Sequence, residues 1–207
     1  MSVAHDFIKL MSRFRYIAIE GLIGAGKSTL AERISQFCNA SLLQEDLDKE
    51  GMLQNFYSFP AVYTNTAEHF FMKQRVEQIH TWTKENSYKK IVADFTFDKG
   101  AVFASVNLHA REWPAFYQAF LKYKKDLPEP DVILWIDCPP ELAMENIRRR
   151  SRAFEGISIG YLRALEEAYH QYLLSPHRKK VIEISPNDNF WQDAELEEML
   201  KNAGIFF

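Results

Sequence analysis

The stretch Arg15–Leu30, RYIAIEGLIGAGKSTL, decides how the rest of the chain is read. A short apolar run, Tyr16-Ile17-Ala18-Ile19, leads into Gly21-Leu22-Ile23-Gly24-Ala25-Gly26-Lys27-Ser28. Glycine, four residues, then Gly-Lys-Ser is the phosphate-binding loop pattern. Gly21, Gly24 and Gly26 permit backbone angles that a side chain forbids, so successive N–H groups can converge on one anion. Lys27 is placed to neutralise terminal phosphates and the Ser28 hydroxyl to ligate Mg²⁺; Ala25 and Thr29 complete the cradle. The amphipathic Leu30-Ala31-Ile34-Phe37 pattern predicts a helix behind the loop. Its N-terminus would add free N–H groups and a favourable dipole. Strand before and helix after is the context that separates nucleotide binding from a chance glycine-rich turn.

Length and composition bound the remaining possibilities. A chain of 207 residues is long enough for one domain with a substantial core. Hydrophobic content of 47% and charged content of 26% are those of an ordinary globular protein. A net charge of −3 gives no global attraction to nucleic acid or to an anionic membrane, and no apolar run approaches spanning length. Cys38 and Cys138 lie in apolar segments and read as buried thiols in a reducing compartment. Residues 1–13 carry Asp6 and no long apolar core, so they read as a flexible lead-in, with a transit peptide as the alternative. Residues 14–207 are expected to form a single domain of a cytoplasmic enzyme.

Strand and helix signals alternate along the chain, which argues for a parallel sheet with helices on both faces. Strands are expected at Tyr16–Glu20, Ser41–Leu43, Ile91–Phe95, Val132–Asp137 and Val181–Ile184. Helices are expected at Lys27–Cys38, Asn65–Thr83, Val102–Leu108, Pro114–Tyr123, Pro140–Arg150, Ile159–Leu174 and Phe190–Asn202. In such sheets the ligand lies beyond the carboxyl ends of the strands. The polar residues there are the phosphate loop, Glu45 and Asp46, Asp94, and Asp137.

Glu45 could accept a proton from an attacking hydroxyl. Spacing alone serves equally well a solvated acidic turn, since Asp46, Asp48 and Glu50 share the loop. Asp94, after the apolar Ile91-Val92-Ala93, suits Mg²⁺ on a triphosphate; a turn or cap role is the alternative. Arg148-Arg149-Arg150-Ser151-Arg152 is the densest basic cluster. It reads as charge at a helix C-terminus, as a lid whose Arg150 and Arg152 close on phosphates, or as a nucleic-acid contact, which the net negative charge disfavours.

Taken together, these segments resemble the deoxynucleoside kinases, in particular the bacterial deoxyadenosine/deoxyguanosine kinase branch. The resemblance runs over nearly the whole chain: EGLIGAGKST, Glu45, NFYSFP with AEHFFMKQR, DFTFDKGAVFA, RRRSRAFEGISIGYL and SPNDNF, in that order. It implies a P-loop kinase fold, with a five-stranded parallel sheet and an arginine-rich lid. It implies ATP and Mg²⁺ served by Lys27 and Ser28, with Asp94 at the metal, and Glu45 as the base for a sugar 5′-hydroxyl. Tyr57 and Glu155 would hold the deoxyribose, Arg75 would face the nucleobase, and Arg150 and Arg152 would clamp the phosphates. A homodimer is also implied, to which the aromatic stripe of Phe70, Phe71, Phe103 and Phe116 is suited; core packing explains those aromatics equally well.

Two departures stand out. The family commonly has Gln seven positions before the substrate-helix Arg, where this chain has Glu68. An ionised Glu only accepts hydrogen bonds, which favours guanine with its N1–H and N2–H donors; alternatively Glu68 pairs with Arg75 two turns along the same helix. Many members also have Glu-Arg-Ser where this chain reads Asp94-Phe95-Thr96, so an Arg is missing and the placement of the base carboxylate is open to change. The expectation is an ATP-dependent deoxynucleoside kinase with a lean to purines. The alternatives are a nucleoside monophosphate kinase, which needs further cations for an acceptor phosphate, and a nucleotide-sensing protein that transfers nothing.

Overall fold

A computed structural model describes residues 14–46, 51–85, 90–150, 156–173, 181–185 and 193–202. Five strands form one sheet: β1 (Tyr16–Gly21), β2 (Ser41–Leu43), β3 (Ile91–Ala93), β4 (Val132–Ile136) and β5 (Val181–Ile184). The order is β2-β3-β1-β4-β5 and every pairing is parallel. Parallel neighbours need crossovers, and helices supply them. These are α1 (Lys27–Phe37), α2 (Met52–Ser58), α3 (Pro60–Glu85), α4 (Lys99–Asn107), α5 (Trp113–Lys124), α6 (Pro140–Arg150), α7 (Ile159–Tyr172) and α8 (Asp193–Asn202).

Side-chain alternation on β1 separates two apolar layers. Ile17 and Ile19 join Leu30 and Ile34 of α1, Ile147 of α6 and Leu162 and Leu165 of α7. Tyr16 and Ala18 join Met72, Val76 and Ile79 of α3 and Phe116 and Phe120 of α5. Helices therefore cover both faces, and central strands such as VILWI are buried throughout, as continuous apolar runs require.

The element boundaries differ from the sequence expectation in instructive ways. β3 stops at Ala93, so Asp94 and Phe95 are already past the strand. Helix α2 is not among the helices expected from the sequence: it is seven residues long, too short for a helical period to be read, and has no fully buried residue. α3 begins at Pro60 rather than Asn65, because proline is tolerated in a first turn where its N–H is not needed. α4 begins at Lys99 rather than Val102. Phe71 and Phe116 of the aromatic stripe are buried in this chain's own core; among the described residues the exposed large apolar side chains are Phe59 and Val62. Cys38 and Cys138 are both free thiols. No helix among the described residues is long and apolar enough to cross a membrane.

Candidate active site

All strands point the same way, so the phosphate loop, Gln44-Glu45 and Asp94 emerge along one edge. The loop is held from two sides. Gly26 caps α1 with φ 94°, and Gly24 has φ 85°. A β-carbon on Gly24 would press into the Ala143 carbonyl and lie 2.9 Å from Ile147 Cγ1. Glycine is thus needed at position 24 for both conformation and close approach of α6. From the same helix, Asn146 Nδ2 donates to the Gly24 carbonyl at 2.9 Å. The Lys27 ammonium donates to the carbonyls of Gly21 and Leu22, each at 2.8 Å. Burial lowers its pKa to about 8 and nearby Lys99 adds to this, while Glu20, Glu45 and Asp94 oppose it.

Asp94 joins the loop to the second half of the site. Its Oδ2 accepts from Ser28 Oγ at 2.6 Å, and its Oδ1 accepts from the Glu45 amide at 2.7 Å. Ser28 and Asp94 are thus brought together as anticipated. A hydroxyl and a carboxylate are the hard oxygen donors that suit Mg²⁺ shared with nucleotide phosphates.

Glu45 is not a solvated turn residue. Its side chain is 8% exposed and lies between two cations. Arg75 Nε donates to Oε1 at 2.7 Å, and Lys99 Nζ donates to Oε2. Gln78 Nε2 holds the neighbouring Gln44 carbonyl at 3.1 Å, so α3 grips this loop twice. Burial alone would raise the Glu45 pKa; the charges and hydrogen bonds of Lys99 and Arg75 outweigh it and hold it down at about 2. The carboxylate is therefore ionised throughout the physiological range.

Glu68 lies on α3 two turns before Arg75 but does not hydrogen-bond to it. Its Oε1 accepts from Asn107 Nδ2 at 2.6 Å, from the end of α4. Burial raises the Glu68 pKa to about 7; the Asn107 hydrogen bond and Arg75 pull it down, and Glu45 pushes it up. Arg75 keeps Nη1 buried without a hydrogen-bond partner, beside Gly100, whose lack of a side chain leaves that nitrogen room. Tyr57 sits on α2, half-buried and edge-on to Phe56, in electrostatic reach of Tyr161 on α7. Arg150 is the exposed last residue of α6, one turn beyond the loop-gripping Asn146. Arg152, Glu155, the segment 186–190 and residues 1–13 lie outside the described residues.

Beneath these groups is a buried carboxylate that the motifs did not flag. Glu20 Oε1 accepts from the Thr96 amide at 2.7 Å and hydroxyl at 2.8 Å, and Oε2 accepts from the Tyr169 hydroxyl at 2.9 Å. Burial raises its pKa, against the charges of Lys99 and Lys27. Glu20 ties the end of β1 to the turn that carries Asp94.

A family profile described as "Deoxynucleoside kinase" matches residues 17–204. The chain belongs to the deoxynucleoside kinase family. It is 31% identical over 195 residues to a deoxyadenosine kinase of Dictyostelium discoideum, covering 90% of this chain and 78% of that one. It is 28% identical over 181 residues to a deoxyguanosine kinase of Bacillus subtilis, covering 86% and 84%. In fold it is similar to the deoxyadenosine kinase of M. mycoides with bound dATP, with a TM-score of 0.77, 17% identity and coverage of 91% and 98%.

Set among the deoxynucleoside kinases, the two departures acquire partners. At the first departure Phe95 is buried in the second apolar layer, and Glu45 lies between Arg75 and Lys99. The Gln-to-Glu exchange at Glu68 is matched by Asn107. Neither Lys99 nor Asn107 could be singled out by motif, because one opens a helix and the other closes it, with no recognisable spacing to their carboxylates.

Proposed function

We propose that this chain transfers the γ-phosphate of ATP to the 5′-hydroxyl of a deoxynucleoside, with a preference for purines. The observation that carries the reading is the buried Arg75–Glu45–Lys99 cluster, joined through Asp94 to the phosphate loop. It puts an ionised carboxylate beside the donor loop. The 5′-oxygen attacks the γ-phosphorus, the bond to the β-γ bridging oxygen breaks, and the hydroxyl proton passes to Glu45. A carboxylate held at so low a pKa is a weak base. Its larger contribution is to accept the hydroxyl hydrogen bond and aim the oxygen, in keeping with a loose transition state that leaves little covalent work to the protein. Mg²⁺, held by Ser28 and Asp94, would neutralise phosphate oxygens. Lys27, the loop amides and, from the end of α6, Arg150 would meet the charge that spreads over the transferring group; Arg152 would join them.

On the acceptor side, Arg75 Nη1 is a buried donor in want of an acceptor, and Glu68 lies about 10 Å further along α3 by helical rise. That span suits a nucleoside whose sugar faces Glu45 and whose base faces Glu68. Tyr57 and Glu155 would hold the sugar. The named relatives act on deoxyadenosine and deoxyguanosine, and an accept-only Glu68 favours guanine of the two. A cytoplasmic homodimer completes the reading, with the exposed Phe59 and Val62 as apolar surface available for contact. The test is product analysis: purified protein with Mg-ATP should convert deoxyguanosine or deoxyadenosine to the 5′-monophosphate. Absence of phosphorylation of every deoxynucleoside would refute the proposal.

A further inference from the structure

Lys99 is out of place by every local rule. It sits in the first turn of α4, where the helix dipole disfavours a cation. Its side chain is 7% exposed, and lysine is almost never buried without a partner. It also lies close enough to Lys27 to lower that residue's pKa. Its ammonium donates to Glu45 Oε2 and stands 5.4 Å from the centroid of the Phe103 ring. Arg75 takes the other oxygen of the same carboxylate. The two cations together fix the carboxylate plane, while each oxygen keeps a lone pair for a further donor.

The division of labour between the two cations follows from their surroundings. Arg75 has a second buried nitrogen turned away from Glu45 and without a partner, so it is shared with whatever lies along α3. The Lys99 ammonium hydrogen-bonds to Glu45, and its charge also reaches the buried Glu20 beneath the site. We infer that Lys99 is a positioning residue for Glu45, supplying from the first turn of α4 the cation that Phe95 cannot, and thereby aiming the carboxylate at the attacking hydroxyl. The groups that act on Glu45 are Lys99 from α4, Arg75 and Glu68 from α3, Tyr169 from α7, Asp94 through the Glu45 amide, and Lys27 from the loop.

The inference rests on the kinase reading, and its test separates the two. The full chain is compared with Lys99→Met, Lys99→Gln and Lys99→Arg for kcat, KM, ATP binding and thermal unfolding. Lys99→Met and Lys99→Gln should each lower kcat by about thirtyfold or more, from misplacement of the reacting groups. ATP binding should persist and KM for the deoxynucleoside should change less than about threefold. Lys99→Arg keeps the charge and should recover most of kcat.

An active wild type with an unchanged kcat in Lys99→Met or Lys99→Gln overturns the inference alone. So does equal loss of kcat in all three variants, with no recovery by Lys99→Arg, which is the mark of a merely structural lysine. Should Lys99→Met not fold, Lys99→Gln against Lys99→Arg gives the same decision. A wild type that phosphorylates no deoxynucleoside removes the kinase reading and this inference with it.

Discussion

The two halves of the site are built by opposite means. The donor half, Gly21–Ser28, is contiguous in sequence and made mostly of backbone: its glycines and the start of α1 supply the N–H groups, and two side chains finish it. The acceptor half is assembled from side chains on three separate elements, with Glu45 after β2, Arg75 on α3 and Lys99 on α4. Backbone geometry depends on a few small residues and withstands most change around it. A side-chain cluster of buried charges depends on every member, because loss of one leaves another unpaired at a cost of several kcal/mol. Asp94 touches both halves, through Ser28 and the Glu45 amide.

The comparison breaks most sharply at Glu45. Glu45→Gln should cut kcat by about a hundredfold or more while ATP still binds, since the donor half is untouched. Lost ATP binding, or turnover within threefold of wild type, would show that the halves are not separable in this way. Asp94→Asn comes next. It should lower kcat by about thirtyfold and also raise the Mg²⁺ concentration needed for half-maximal rate, because one substitution loosens both Ser28 and the Glu45 loop. An effect on only one of these two readouts would remove Asp94 from its bridging position.

Base selection offers a finer contrast within the acceptor half. With a pKa raised to about 7, Glu68 is protonated below neutrality, and can then donate as well as accept, and ionised above it, when it only accepts. The ratio of kcat/KM for deoxyguanosine over deoxyadenosine should therefore rise by up to about tenfold from pH 6 to pH 8. Glu68→Gln should give a ratio independent of pH; a pH-dependent ratio in that variant would locate the titrating group elsewhere. The smallest effect concerns the donor half. Gly24→Ala places a β-carbon against α6 at a positive φ, and should cost about 1–3 kcal/mol. For a domain of this size that is a drop in Tm of several degrees. Calorimetry with and without ATP would follow it, and an unchanged Tm would mean that α6 yields without cost.

Much of the fold was legible because parallel strands buried on both faces are continuous apolar runs, as in Val132–Ile136, and because the loop pattern names its own flanking elements. Helix α2 was not legible, since seven residues are too few for a helical period to stand out. In the site, Ser28 and Asp94 could be paired from their places after β1 and β3, and the structure brings them within 2.6 Å. The Glu68–Arg75 pairing, the alternative to base reading by Glu68, gave way to two others. Arg75 found Glu45 and Glu68 found Asn107, because both carboxylates are buried and each required its own nearby donor.

What the sequence determined by itself was the donor half, because a backbone cradle is written in neighbouring residues and needs only glycine, lysine and a helix start. What only the tertiary structure decided was the acceptor half. Glu45 could have been a solvated turn; packing of α3 and α4 against β3 encloses it between Arg75 and Lys99 and makes it a held, ionised carboxylate. The Lys99 that does so is separated from Glu45 by 54 residues. No local pattern carries such a contact, because buried charges select partners by proximity in the fold rather than by spacing along the chain.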